Sequence, residues 1–194
     1  TLVRYNTFMG CKSLRNVTMN DGTEPLVLAY NYPGLKVDYI NNKVTVYDSS
    51  ALFYDCPLDH VYIGLNIIYG TTSGEGYSPF YRNTSLRAVT ITDKETEISP
   101  NEFYGCTGLK QITIGDGVES IGDWAFSGCS SLESFSFGYS VETIGQEAFS
   151  DCTAMTTIVS RAQTPPTCGT QALDDINKFT CQLKVPQGYL AAYQ

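Results

Sequence analysis

Ile121-Gly122-Asp123-Trp124-Ala125-Phe126-Ser127-Gly128-Cys129-Ser130-Ser131-Leu132 decides the architecture, because its marked positions come back at a fixed distance. Phe80, Phe103, Phe126 and Phe149 are each 23 residues apart, and Cys106, Cys129 and Cys152 keep the same interval. A constant period of about 20–50 residues marks an array of stacked units, each too small to bury its own apolar side.

Outward from that stretch runs one phrase: aromatic, two residues, Cys, two residues, apolar, two residues, apolar, one residue, apolar. Its clearest copies are Phe103-Cys106-Leu109-Ile112-Ile114, Phe126-Cys129-Leu132-Phe135-Phe137 and Phe149-Cys152-Met155-Ile158. Phe80-Asn83-Leu86-Val89-Ile91 carries Asn in the Cys place, and Phe8-Cys11-Leu14-Val17-Met19 opens the chain. Phe53-Cys56-Leu58-Val61-Ile63 has lost one residue between Cys and Leu, and the next copy starts 27 residues later instead of 23. Between Met19 and Phe53 the phrase dissolves, although Lys43-Val44-Thr45-Val46-Tyr47 still alternates like a half-buried strand; this span reads as a degenerate repeat.

The second half of the unit also recurs, as Val118-Glu119-Ser120-Ile121-Gly122 and Val141-Glu142-Thr143-Ile144-Gly145. Each coil therefore has two apolar strips, with a short strand at Leu-x-x-Ile-x-Ile, a second extended segment at Val-x-x-Ile-Gly, and a 3-10 or helical corner at Ala-Phe. The expected fold is a mainly β repeat solenoid in one domain over residues 1–194. Residues 1–52 are expected to form degenerate N-terminal repeats, 53–163 the main repeats, and 164–194 a Pro-containing cap. Stacking lays Phe on Phe, Cys on Cys and Leu on Leu in a continuous core.

The phrase Ile121-Gly122-Asp123-Trp124-Ala125-Phe126-Ser127-Gly128-Cys129-Ser130-Ser131-Leu132 resembles the BspA-like leucine-rich repeat family, common in surface proteins of Bacteroidetes. Tyr62-Ile63-Gly64 with Tyr69, Ser78-Pro79-Phe80, Thr164-Pro165-Pro166-Thr167 and Val185-Pro186 before Tyr193 extend the likeness. The resemblance implies a right-handed leucine-rich-repeat coil, an export signal upstream, display on the cell exterior, and an adhesin-like role that engages host matrix or bacterial surface proteins. It implies no single ligand.

Composition agrees with short strands and turns: charged residues are 16%, against 14 Tyr, 9 Phe and 17 Gly. Twelve Lys and Arg against 20 Asp and Glu leave a formal charge of -8, the wrong sign for a protein that gains affinity by neutralising phosphates. No nucleic acid is expected. No apolar run approaches the roughly 18 residues of a membrane span, so no membrane insertion is expected within this chain.

No catalytic, cofactor or metal site is expected. Cys11, Cys56, Cys106, Cys129 and Cys152 share one phase and read as a ladder of free, packed thiols, not as a disulfide framework. Cys168 and Cys181 lie outside the phrase, in the cap, and are the candidates for a disulfide staple. His60 is the one imidazole; register puts it outward and Cys56 inward, so a Cys-His nucleophile pair is not expected. One His and no Cys-x-x-Cys pair argue against zinc, and scattered aspartates supply no calcium loop. The sequons Asn16-Val17-Thr18 and Asn83-Thr84-Ser85 matter only in a eukaryotic secretory path.

Partner-binding candidates fall in two groups. The outward strand residues, among them His60, Tyr62, Thr90, Gln111, Thr113, Ser134 and Ser136, form a polar, nearly uncharged face. Such a face serves either recognition or mere structural satisfaction between strands. The Gly-rich insertion Ile67 to Tyr81 presents Tyr69, Tyr77 and Tyr81, suited to protein or sugar contact, or simply to covering its own base. Three roles follow: protein binding, glycan binding through exposed tyrosines, or a passive spacer displaying another domain.

Overall fold

The computed structural model of the chain describes residues 2–4, 7–22, 24, 26–29, 35–38, 43–46, 52–53, 55–65, 67–69 and 78–194. The structure is a stack of parallel β coils, and the inner strip of each follows from alternation. Ile112 and Ile114 are buried while Gln111 and Thr113, on the same strand, are exposed. The strands Asn16–Met19, His60–Ile63, Ala88–Ile91 and Gln111–Ile114 pair in parallel. Their registers align Val17, Val61, Val89 and Ile112 in one inward row. A second group, Ser134–Phe137, Thr157–Ser160 and Gln182–Lys184, continues the strip.

No ladder joins Gln111–Ile114 to Ser134–Phe137, although the two strands lie side by side. Two Phe rings occupy the inward positions that Ile fills one coil earlier. Phe135 tilts at 60° against Phe126, with ring centroids 5.6 Å apart, and meets Phe149 edge-on at 4.4 Å.

The Val-x-x-Ile-Gly segments make the second strip: Glu97–Ile98, Ser120–Ile121, Thr143–Ile144 and Thr167–Cys168 pair in parallel. Leu2–Arg4, Leu26–Ala29 and Ile67–Tyr69 form its N-terminal counterpart. Between the two groups, the N–H of Ile67 donates instead to the Glu95 carboxylate at 2.7 Å. Glycine follows Ile121, Ile144 and Cys168 and permits the tight coil spacing there: a Cβ on Gly145 would sit 2.5 Å from the backbone nitrogen of Asp123.

At the corner, Phe8, Phe53, Phe80, Phe103, Phe126 and Phe149 stack face on face, with centroids 5.2 to 5.5 Å apart. Each such pair adds about 0.5–1.5 kcal/mol beyond the area it buries. The corner carries 3-10-type bonds, such as Cys129 N–H to Phe126 O at 3.0 Å, but left-handed residues at Trp124 and Gly128 stop it from becoming a helix. Corners are turns, and among the described residues the one 3-10 helix is Leu190–Tyr193 in the cap.

The cysteine phase has a specific reason. The Cys106, Cys129 and Cys152 thiols donate to the carbonyls of Phe80, Phe103 and Phe126, one coil earlier, at 3.1, 3.3 and 3.3 Å. Cys56 does the same to Phe8 at 2.8 Å. Asn83 fits the series as a substitute donor, its Nδ2 reaching Phe53 O at 3.3 Å and Cys56 O at 2.9 Å. All seven thiols are free, the four named here buried. Burial pushes Cys106 and Cys152 up to about 12.

The N-terminal span departs from the expected degenerate repeat. Leu35–Asp38 and Lys43–Val46 pair antiparallel as a hairpin. Asn16–Met19 pairs directly with His60–Ile63, and the Phe8 ring stacks on Phe53, so no further coil lies between them. Alternation identified a strand at Lys43–Val46 but not its direction.

Candidate binding surfaces

The strand face gathers most of the expected partner-binding residues. Parallel register sets Asn16, His60, Ala88 and Gln111 in one outward row, and Thr18, Tyr62, Thr90 and Thr113 in the next. His60, Gln111 and Thr113 are exposed; Tyr62 and Thr90 are half-buried. His60 Nε2 lies 3.4 Å from Thr90 Oγ1. The Tyr62 hydroxyl donates to Asp21 at 3.4 Å, and desolvation followed by the Asp21 charge raises its pKa. Ser134 and Ser136 stand beyond the interrupted ladder, next to Thr157 and Val159. They share the face but not the hydrogen-bonded sheet.

The Tyr-rich insertion resolves differently for each residue. Tyr69 ends the strand Ile67–Tyr69, so the insertion begins one strand later than its expected start. Tyr77 lies outside the described residues. Tyr81 sits on the corner, its ring stacked on Tyr104 at 5.1 Å, with the Arg82 guanidinium over both rings at 5.2 and 5.8 Å.

Two recesses were not anticipated. In the cap, Leu173 and Ile176 follow Ala172 in the positions that Phe149 and Cys152 hold after Ala148. Leu173 is exposed there and lines an open recess of about 370 Å³. Its walls include Phe135, Phe149, Met155, Leu173 and Leu183, with Lys178 at the rim; Cys168 and Cys181 both line it as free thiols. Tyr193 closes the cap by donating to Ala162 O at 2.9 Å. The second recess, of about 280 Å³, lies where the Phe53 unit is one residue short. The missing residue was visible in the sequence; its spatial consequence was not.

His60 and Cys56 do not form a nucleophile pair: the thiol is bonded to the Phe8 carbonyl and the imidazole faces Thr90. Among the described residues no three His, Cys, Asp or Glu side chains converge as metal ligands, and no helix is long and apolar enough to cross a membrane.

A parallel coil stack with an aromatic and thiol corner ladder defines a leucine-rich-repeat solenoid. Residues 76–180, more than half of the chain, match the BspA type leucine rich repeat region in six copies, and the chain belongs to that family. A leucine-rich repeat protein from Bacteroides ovatus is similar at 22% identity and a TM-score of 0.56, covering 90% of this chain and 43% of its own. A leucine rich repeat protein from T. pallidum matches at 23% identity and a TM-score of 0.48, covering 81% and 58%. A leucine rich cell surface protein from Faecalibacterium prausnitzii gives 19% identity and 0.37, covering 94% and 49%. The chain thus spans about half the length of these solved structures. No curated protein matches.

Proposed function

We infer that the chain is a non-catalytic protein-binding module of the cell exterior that engages its partner through the polar strand face. One observation carries the reading. His60, Thr90, Gln111 and Thr113 stand on a single hydrogen-bonded sheet with polar, mostly exposed side chains in fixed rows. A flat, preordered array loses little conformational freedom on docking and presents donors and acceptors at strand spacing. Export and an adhesin-like role are what the family resemblance implies.

The test uses the intact chain on a defined array of purified host matrix and bacterial surface proteins. A partner should be captured by the native chain and lost by Gln111→Arg with Thr113→Arg, at unchanged melting temperature. Absence of any binder, or a binder indifferent to both changes, refutes the reading.

A further inference from the structure

The row that opens the second strip is apolar in the later coils, where Val118 and Val141 fill it, both buried. One period of 23 residues before Val118 stands Glu95, and one period before Ala125 stands Glu102. Both are buried, at 6% and 3% exposure, so a single coil carries two acids in rows that its successors fill with Val and Ala. Burying a carboxylate is costly unless it is paired or hydrogen-bonded, and among the described residues no cation is ion-paired to Glu95.

What these two residues hold is the base of the insertion. Ile67 comes before its Gly-rich stretch, residues 70–77, and Ser78 directly after it. The N–H of Ile67 donates to the Glu95 carboxylate at 2.7 Å, and the hydroxyl of Ser78 donates to the backbone carbonyl of Glu102. The Glu102 carboxylate takes the N–H of Ser99 at 2.8 Å. The bond from Ile67 stands where the second strip has no ladder, since Ile67–Tyr69 pairs with Leu26–Ala29 and Glu97–Ile98 with Ser120–Ile121. At the same level the first strip is continuous: His60–Ile63 pairs with Ala88–Ile91, and Phe53 stacks on Phe80. One side of this junction is a full ladder; the other hangs on a titratable group.

We propose that Glu95 is a proton-operated latch: protonated, it holds the strand Ile67–Tyr69 against the next coil, and on losing its proton it releases that strand while the first strip stays closed. The groups that bear on it fix the sign. Burial disfavours its charge, and the charges that act on it are two further carboxylates, Glu102 on the following corner and Glu97 on the adjoining strand. From Ile67–Tyr69 it receives the Ile67 N–H, which favours the ionised form but does not offset the rest, and the carboxyl sits at about 8. With the strand lifted, water solvates the group and its ordinary 4.5 returns. The closed form therefore binds the proton more tightly. Closure is fully favoured below pH 4.5, opening grows as pH rises, and it levels off above about 8. The latch lies on the second strip and does not depend on the strand face binding protein.

Amide hydrogen exchange by NMR on the intact chain, from about pH 5 to about pH 8, tests the latch. Protection factors, which already remove the pH dependence of a free amide, should be lower at Ile67 than along His60–Ile63. At Ile67 they should fall by about tenfold or more across the range. Glu95→Gln keeps an acceptor and cannot ionise, so its Ile67 protection should stay level. Glu95→Val installs the residue of the later coils and removes acceptor and proton together; protection at Ile67 should then be low at every pH. The Val variant also keeps the test decisive if the Gln variant fails to fold. Three results overturn the proposal: protection at Ile67 that ignores pH in the native chain, a slope that survives in either variant, or Ile67 protection equal to that of His60–Ile63 throughout, which would mean release by global unfolding alone.

Discussion

The thiol of Cys129 donates to the carbonyl oxygen of Phe103 across 3.3 Å, tying one coil's corner to the previous coil's aromatic residue. Both groups are buried, and the carbonyl also accepts the backbone N–H of Cys106 at 3.1 Å. Cys129→Ala should cost about 1–2 kcal/mol, part lost packing and part the lost bond between coils, while Cys129→Ser should retain more of the stability. Urea unfolding of both variants measures the difference.

Asn83 performs the same task at a cost. Its Nδ2 makes two bonds, but its Oδ1 is buried with no partner. Asn83→Cys keeps a donor for Phe53 O and deletes the unsatisfied acceptor. The expected gain is about 1 kcal/mol, read as a higher urea midpoint.

Glu95 should make the protein more stable in mild acid. Burial, then the neighbouring Glu102 and Glu97 charges, push its carboxyl from 4.5 up to about 8, against the opposing bond from Ile67. Folded chains keep the proton where unfolded chains release it, so stability is full below pH 4.5 and falls as pH rises toward 8. Glu95→Gln retains an acceptor for Ile67 and removes the charge. It should flatten that slope and add about 1–2 kcal/mol at pH 8, after allowance for partial screening. Thermal unfolding across this range gives the answer.

The buried thiols give a second pH signature. With Cys106 and Cys152 at about 12 in the fold against 9.0 ordinarily, stability should decline as pH rises from 9 toward 12. In the native protein at pH 8, a thiol-specific reagent should label exposed Cys11 and Cys168 readily and leave Cys56, Cys106, Cys129 and Cys152 blocked. The same reagent on denatured, unreduced protein should count seven thiols, Cys168 and Cys181 included; a count of five would show these two joined.

Filling the cap cavity should stabilise the C-terminal end. Leu173 occupies the position where the aromatic stack would continue beyond Phe149, and it lines the void. Leu173→Phe extends the ladder by one ring and should add about 0.5–2 kcal/mol. A rise in melting temperature without a change in denaturant slope is the expected reading.

The solenoid was legible because Phe126 and Cys129 recur at one phase, and phase survives wherever the corner survives. The cysteine's partner was not legible, since the bond from Cys129 to Phe103 links residues of different coils. The hairpin at Leu35–Asp38 and Lys43–Val46 escaped for a different reason: a period of two marks a strand and says nothing of its direction. The strand face could be read from alternation alone, whereas the recess beside Pro57 could not, although its signal, the missing residue between Cys56 and Leu58, was present.

The missing ladder between Gln111–Ile114 and Ser134–Phe137 gives the molecule a mechanical grain. In a stack where each coil grips only its neighbours, an axial load passes through the junctions in series. This junction lacks the inner row of backbone bonds and transmits force through the second strip and the Phe103–Phe126 stack. The strand face is therefore two panels meeting at a crease, with His60, Thr90, Gln111 and Thr113 on one side and Ser134 and Ser136 on the other.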